Sequence, residues 1–285
     1  MRVRVWGCRG SLASPGPETI RYGGNTACIE VRLDDGTLII LDAGTGIRPL
    51  GLSLPPESPA TIHLLLSHLH LDHLEGLGFF LPVWRPGADL HIWGPPSPVR
   101  TLEQRVARYF SPPLFPVHLS EIPAHPKFHD APEGEVRIGS GTILAEPVAH
   151  RGPTVGWRIS ENGRSFAYLT DHEPARGVDL SSMSPEWISG YRVARETDIL
   201  VHDAQYTAEE YLDRQGWGHS SVDHMVAFAA VCRVTRAVMF HHDPLHNDDD
   251  LEKMRAHARE LWQDGGGEGP GPDLAHEGME LDLSS

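Results

Sequence analysis

The run LLLSHLHLDHLEG, Leu64 to Gly76, sets three histidines and an aspartate into positions 68 to 73, directly behind an apolar stretch. The apolar residues of ATIHLLLS read as a short buried strand. A chain that ends such a strand in four metal-capable side chains must bring it to the rim of a core, because a catalytic cation keeps a position open to water. In extended backbone, residues two apart project to the same side, so His68 and His70 can address one ion. If a helix begins near Asp72, then Asp72 and His73 turn toward a second ion beside the first.

A catalytic zinc usually takes about three protein ligands, so a pair of ions needs donors from elsewhere in the chain. Candidates stand at predicted strand ends or loops: His150 closes ILAEPVAH, Asp171 closes SFAYLTD, and His241 and His242 close AVMFHH. An aspartate can bridge two cations through its two oxygens, a role closed to histidine. His172 competes with Asp171, and the last donor is either His241 or His242. Chance is a poor explanation for the first cluster. With 18 histidines in 285 residues, the order His-x-His-x-Asp-His arises in about one random chain in two hundred.

ACIEVRLDDGTLIILDAGTG reads as two β runs joined by a hairpin at Asp34-Asp35-Gly36, and TVGWRISENGRSFAYLTD as a second hairpin turning at Glu161 to Gly163. HLEGLGFFLPVW has helical spacing up to Pro82. Later, TDILVHDA and RAVMFHH look like buried strands. They alternate with a helix over SSVDHMVAFAAVCRV, capped by Ser220 with Asp223 three residues on, and one over DDDLEKMRAHARELWQDGG, acidic at its start and stopped by glycines. Hairpins first and βα alternation later favour a layered α/β domain over an all-β sandwich. One domain spanning residues 1–285 is expected. Residues 111–134, rich in Pro and His, predict a loop near the site, and residues 264–285 a Gly-rich linker before a last strand, GMELDL.

The formal net charge of −15 argues against an extended nucleic-acid partner, whose affinity would come from Lys and Arg neutralising phosphates. Lys127 and Lys253 are the only lysines, and the remaining arginines suit recognition of a small anion. No apolar run approaches the roughly 20 residues of a membrane span. MRVRVWG alternates like a strand, so a soluble, cytoplasmic chain with no membrane partner is expected. Cys8, Cys28 and Cys232 are odd in number and far apart, which points to buried free thiols. The oligomeric state is left open, a homo-oligomer included.

SHLHLDH resembles the signature of the metallo-β-lactamase-fold hydrolases, and His150, Asp171 and His241 match that family's remaining ligands in order and context. The resemblance extends from GGNTACIEV and LIILDAGTG to MFHHDP. It implies an α/β fold, a four-layer αββα sandwich, with a binuclear metal site at one edge of the two sheets. On that pattern His68, His70 and His150 hold one ion, Asp72, His73 and His241 the other, and Asp171 bridges them. LVHDAQYT followed by GWGHSS is similar to the paired acidic and histidine motifs of ribonuclease Z and its phosphodiesterase relatives. Carried over, Asp203 orients His219, and His219 meets the scissile phosphate, with Asp72 as the third catalytic residue. Two departures stand out: Asp171 lies in TDHEP where many relatives have a Gly-Asp-Thr-like turn, and nothing matches ribonuclease Z's basic, Gly-rich arm.

Two cations about 3.5 to 4 Å apart can acidify a shared water and clamp the oxygens of a phosphodiester, and a carboxylate-positioned histidine can protonate the leaving oxygen. The expectation is therefore a binuclear metal-dependent hydrolase with a small-molecule substrate, a phosphodiester or cyclic-nucleotide-like ester. Its two divalent ions are zinc first, with manganese or iron admissible. A thioester or lactone hydrolase of the same fold and a nuclease acting on RNA ends are the alternatives. A diiron reductase of the fold would typically carry His-x-Glu where His70 stands.

Other residues are read as follows. His63 and His91 are core or sheet-surface positions, while His118, His125 and His129 belong to a loop that is solvated or gates substrate. His224 and His257 are exposed helix residues, and His246 is either an ordinary polar residue or one that supports a ligand from behind. The resemblance places Arg9 or Asn25 near the substrate. Asp42, in LDAGTG, either bonds a ligand histidine or caps a turn.

Overall fold

A computed structural model describes residues 1–55 and 61–283. Among these residues the strands are β1 Arg2–Gly7, β2 Cys28–Arg32, β3 Leu38–Leu41, β4 Thr61–Leu65, β5 Asp89–Gly94, β6 Lys127–Asp130 and β7 Gly134–Ile138, then β8 Gly141–Pro147, β9 Val155–Glu161, β10 Arg164–Leu169, β11 Ile199–Asp203, β12 Arg236–Phe240, β13 Asp273–Leu274 and β14 Glu280–Asp282. The helices are α1 Ile47–Ser53, α2 Leu102–Val106, α3 Tyr191–Ala194, α4 Ala208–Leu212, α5 Val222–Cys232 and α6 Asp248–Asp264. One seven-stranded sheet runs β14-β1-β2-β3-β4-β5-β6, and the other runs β13-β12-β11-β10-β9-β8-β7.

The apolar patterning explains the layering. β3 is Leu-Ile-Ile-Leu, buried at every position, so it needs cover on both faces. Ile39 and Leu41 join Val31, Trp157 and Phe240 between the sheets, while Leu38 and Ile40 pack with Ile47 and Leu50 of α1. On the second sheet, Tyr168 and Val201 face the same inner core. Leu200 and Met239 pack instead with Met225 and Phe228 of α5 and Leu251 of α6. The result is helix, sheet, sheet, helix, the four-layer α/β sandwich expected from the sequence. No described helix is long and apolar enough to cross a membrane, and all three cysteines are free and buried.

Strand direction places the site. β3 through β6 pair in parallel, as do β10 through β13, and the segments leaving the C-terminal ends of such strands share one edge of the fold. Asp42 follows β3, His68 to His73 follow β4, and Asp171 follows β10. Asp203 ends β11, His241 follows β12, and the β8–β9 connection carries His150.

Four local expectations change. The helix expected before Pro82 is a series of 3₁₀ turns, Leu71–His73, Leu77–Phe79 and Leu81–Trp84. The backbone at Gly76 lies so close to Gly44 that a Cβ would sit 2.0 Å from its carbonyl oxygen, an approach an ordinary side chain in a regular helix could not make. The cap of α5 is Ser221, not Ser220: Ser221 accepts from the His224 amide, while Ser220 donates its hydroxyl to the His172 carbonyl. Residues 111–134 are not loop throughout, since they include a 3₁₀ turn at Leu119–Glu121 and β6 at the sheet edge. The 264–285 stretch holds β13 as well as the last strand, which pairs with β1.

Candidate metal centre

Two groups of donors meet at this edge. His68, His70, His150 and Asp171 form one, and Asp72, His73, Asp171 and His241 form the other. Asp171 belongs to both. Its Oδ1 lies 3.6 Å from both His68 Nε2 and His150 Nε2, and its Oδ2 lies 3.0 Å from both His73 Nε2 and His241 Nε2. Within the first group His150 Nε2 and His70 Nδ1 are 3.3 Å apart. Within the second, Asp72 Oδ2 stands 3.1 Å from His73 Nε2 and 3.2 Å from His241 Nε2.

These distances fit divalent cations. Donors about 2.0 to 2.1 Å from a tetrahedral zinc lie about 3.3 Å from one another, which is the spacing seen across both groups. His68 Nε2 is buried without a hydrogen-bond partner, the state of a nitrogen whose lone pair awaits an ion. Asp72, Asp171 and Asp203 are all buried, and carboxylates so clustered require positive charge among them.

The far side of each ring holds it in place. Asp42, fully buried, accepts four bonds: the Ser67 amide on Oδ1 at 2.6 Å, and the Ser67 hydroxyl, His73 Nδ1–H and the Tyr168 hydroxyl on Oδ2, each at 2.8 Å. Because the Ser67 proton goes to Asp42, the Ser67 oxygen accepts from His68 Nδ1–H at 3.0 Å. His150 donates Nδ1–H to the Gly218 carbonyl at 2.7 Å, and His241 donates to Gln205 Oε1 at 3.2 Å. In all four rings the Nδ1 proton is engaged outward, leaving the Nε2 lone pair inward, the arrangement that orients ligand histidines. Asp42, Asp171 and His241 also adopt positive φ, 60°, 47° and 61°, conformations that persist only where the surroundings hold them.

Burial lowers the pKa of His68, His70 and His150, keeping them neutral and able to ligate. Burial also resists charge on Asp72 and Asp171, yet neighbouring histidines, His73 and His241 foremost, hold both carboxyls below the usual range. Burial disfavours charge on His73, but Asp72, Asp171 and Asp42 raise its pKa.

His219 stands against this centre. Its Nδ1 is 2.7 Å from Asp203 Oδ2, and Asp203 Oδ1 is held by the amides of Gln205 and Ser220 at 3.0 and 3.1 Å. The His219 ring stacks on His241 at 5.0 Å and meets His150 edge-on at 5.1 Å. Burial works against its charge, yet Asp203, with Asp171 and Asp72, lifts its pKa to about 9. Asp203, His219 and His241 also have donor atoms within 4.8 Å of one another. A cleft of about 470 Å³ opens beside His68 and His70, lined also by Arg105, Arg108, Tyr109 and Arg151.

Several expected residues lie elsewhere. His242 binds the Ala275 carbonyl at 2.9 Å, and His172 pairs with His202 at 2.8 Å, so both turn away from the donor groups. Arg9 is fully buried and donates to the carbonyls of Gly23, Asp243 and His246. It ties loops together instead of meeting substrate. Asn25 is held by Glu277 through amide and side chain. His246 bonds Glu210 at 2.9 Å, not a donor of either group. His63, His91 and His129 cluster around Trp93 on the first sheet, and His224 is half-buried against Tyr211. Sequence reasoning missed Ser67, Tyr168, Gln205 and the Gly218 carbonyl. A carbonyl leaves no residue signal, but Gln205 stands two places from Asp203 and could have been weighed.

Comparison with known proteins places the chain among relatives. It is 30% identical over 207 residues to an uncharacterized protein of Mycobacterium tuberculosis, covering 66% of this chain and 68% of that one. It is 27% identical over 243 residues to the ribonuclease Z of Mycobacterium marinum, covering 81% and 84%. Its fold matches the crystal structure of a diphosphatase from the PhnP family with a TM-score of 0.67, at 19% identity, over 99% of this chain and 98% of the other. A family model described as the beta-lactamase superfamily domain matches residues 37–242, and with its two mixed sheets and its shared-aspartate donor groups the chain belongs to that family.

Proposed function

We propose that the protein is a binuclear metal-dependent phosphodiesterase of the cytosol, hydrolysing a small phosphodiester or cyclic-nucleotide-like ester. His68, His70 and His150 would hold one divalent ion and Asp72, His73 and His241 the other, with Asp171 shared and zinc the foremost candidate from the donor set. When bound, two such ions supply an activated water and a Lewis-acidic clamp on the phosphate oxygens.

The observation that carries the reading is the Asp203–His219 pair at 2.7 Å. Asp203 accepts a hydrogen bond from Nδ1–H, which leaves Nε2 as the end of the ring that can carry a second proton to a leaving oxygen. The Gln205 and Ser220 amides fix Asp203, so the ring's orientation is set before substrate arrives. Phosphodiester cleavage expels a basic alkoxide that needs such a donor; a thioester, with its weakly basic leaving thiolate, does not. The ribonuclease Z relatives favour RNA ends as a second reading, but a net charge of −15 offers a poor field for an RNA backbone.

The test is turnover of bis-p-nitrophenyl phosphate, an acyl thioester and a lactone by zinc- or manganese-loaded protein. Phosphodiester turnover well above the other two is expected. Turnover of the thioester or lactone alone would overturn the assignment.

A further inference from the structure

The cleft beside His68 and His70 is unusually basic for so acidic a chain. Arg105 and Arg108 come from α2 and the turn after it, and Arg151 from the β8–β9 connection, so two distant segments deliver three guanidinium groups to one cavity. Several arginines elsewhere are ion-paired, Arg32 with Glu30, Arg164 with Asp198, Arg192 with Glu146 and Arg255 with Glu252. Among the described residues, Arg105, Arg108 and Arg151 have no carboxylate within ion-pair distance. Arg105 and Arg151 are oriented through the carbonyls of Pro95 and Gly216, contacts that aim a guanidinium without cancelling its charge. Arg105 Nε is buried with no partner at all. Apart from Ser97, the rest of the lining away from the histidines is apolar or aromatic, with Leu71, Leu114, Tyr109 and Pro153.

The charge of a scissile phosphate would be met by ions held at the donor groups, so three further guanidinium groups without an ion-paired carboxylate, only Arg105 feeling a more distant one in Asp130, imply another anion. The geometry points to a second phosphate subsite in this cleft: the ester that reaches the metal centre carries an additional phosphate monoester, on a sugar- or nucleoside-sized body that packs on the leucines. The inference rests on the phosphodiesterase reading for the reaction but not for the binding. Guanidinium groups suit it because they meet phosphate oxygens through paired N–H donors, and a cavity of about 470 Å³ is within the range of small-ligand sites.

Two measurements separate the claims. In the first, adenosine 5′-monophosphate and adenosine are titrated calorimetrically into the metal-free full chain and into the Arg108→Gln/Arg151→Gln variant. Both arginines are exposed, so the variant should fold. The nucleotide is expected to bind at least tenfold tighter than the nucleoside, and the variant to lose that preference. Equal affinities, or a preference the variant retains, would overturn the subsite. In the second, zinc-loaded protein is offered 2′,3′-cyclic AMP with and without a 5′-phosphate. A preference for the phosphorylated ester, expressed mainly in KM, is expected, and equal kcat/KM would count against the subsite. Hydrolysis of neither would strike the phosphodiesterase reading, while the titration still decides the subsite.

Discussion

Replacing His219 with alanine tests the division of labour at the centre. The side chain is only 11% exposed and is stacked on His241 and edge-on to His150. Alanine leaves a space water can enter. Asp203 keeps the Gln205 and Ser220 amides, so its carboxylate stays satisfied and the fold should survive. On the proposed reading the proton for the leaving oxygen is lost, and general acid catalysis is worth about 10²- to 10⁴-fold, or about 2.7 to 5.5 kcal/mol of barrier. The size should depend on the leaving group. A nitrophenolate leaves with little help, so the loss with bis-p-nitrophenyl phosphate should fall at or below the lower figure. An alkyl phosphodiester needs the proton and should approach the upper one. Steady-state kinetics on both esters, with zinc measured by elemental analysis, gives the answer. Two zinc ions per chain and a loss that grows with leaving-group basicity are expected. Equal losses on both esters would remove His219 from proton transfer, and loss of an ion would make it a ligand, as its approach to His241 and Asp203 would then require.

Further outcomes follow from the same geometry. His241→Ala should bind one zinc where His242→Ala binds two, read by elemental analysis, because only His241 lies among the donors. Asp42→Asn should weaken the affinity for the ion at His73 by about 10- to 100-fold in a competitive chelator titration, since Asp42 holds the His73 and Ser67 positions; unchanged affinity would deny it that role. Stripping the metals should lower Tm, and zinc should restore it in a concentration-dependent way, because Asp72 and Asp171 would otherwise lie buried without cations; a Tm indifferent to chelator would contradict this. Gly76→Ala should destabilise the fold by about 2 kcal/mol or more in denaturant unfolding, as its Cβ would meet the Gly44 carbonyl at 2.0 Å.

The candidate donors that the fold brings together were legible because metal chemistry restricts residue types and strand ends restrict their placement. His68 to His73 after an apolar strand, Asp171 after another, and a histidine at 241 or 242 after a third are candidates that can be read from pattern alone. The choice of His241 over His242 could not, because it depends on the Ala275 carbonyl beside β12 capturing the second ring. Arg9 shows the opposite error. A lone arginine in a Gly-rich segment suggests an anion, yet carbonyls more than 230 positions away take its guanidinium. The helix expected after His73 fails for a similar reason: spacing reports which faces are apolar, but not that Gly76 must approach Gly44. The arginine-lined cleft was invisible since α2 and the β8–β9 connection meet only in the folded chain.

The most direct measurement is an anomalous-difference map from crystals grown with zinc. Two peaks are predicted, one bonded to His68, His70 and His150 and the other to Asp72, His73 and His241, with Asp171 touching both at the usual zinc–ligand distances of about 2.0 to 2.2 Å. A single peak, or peaks that leave Asp171 bound to neither ion, would contradict the account.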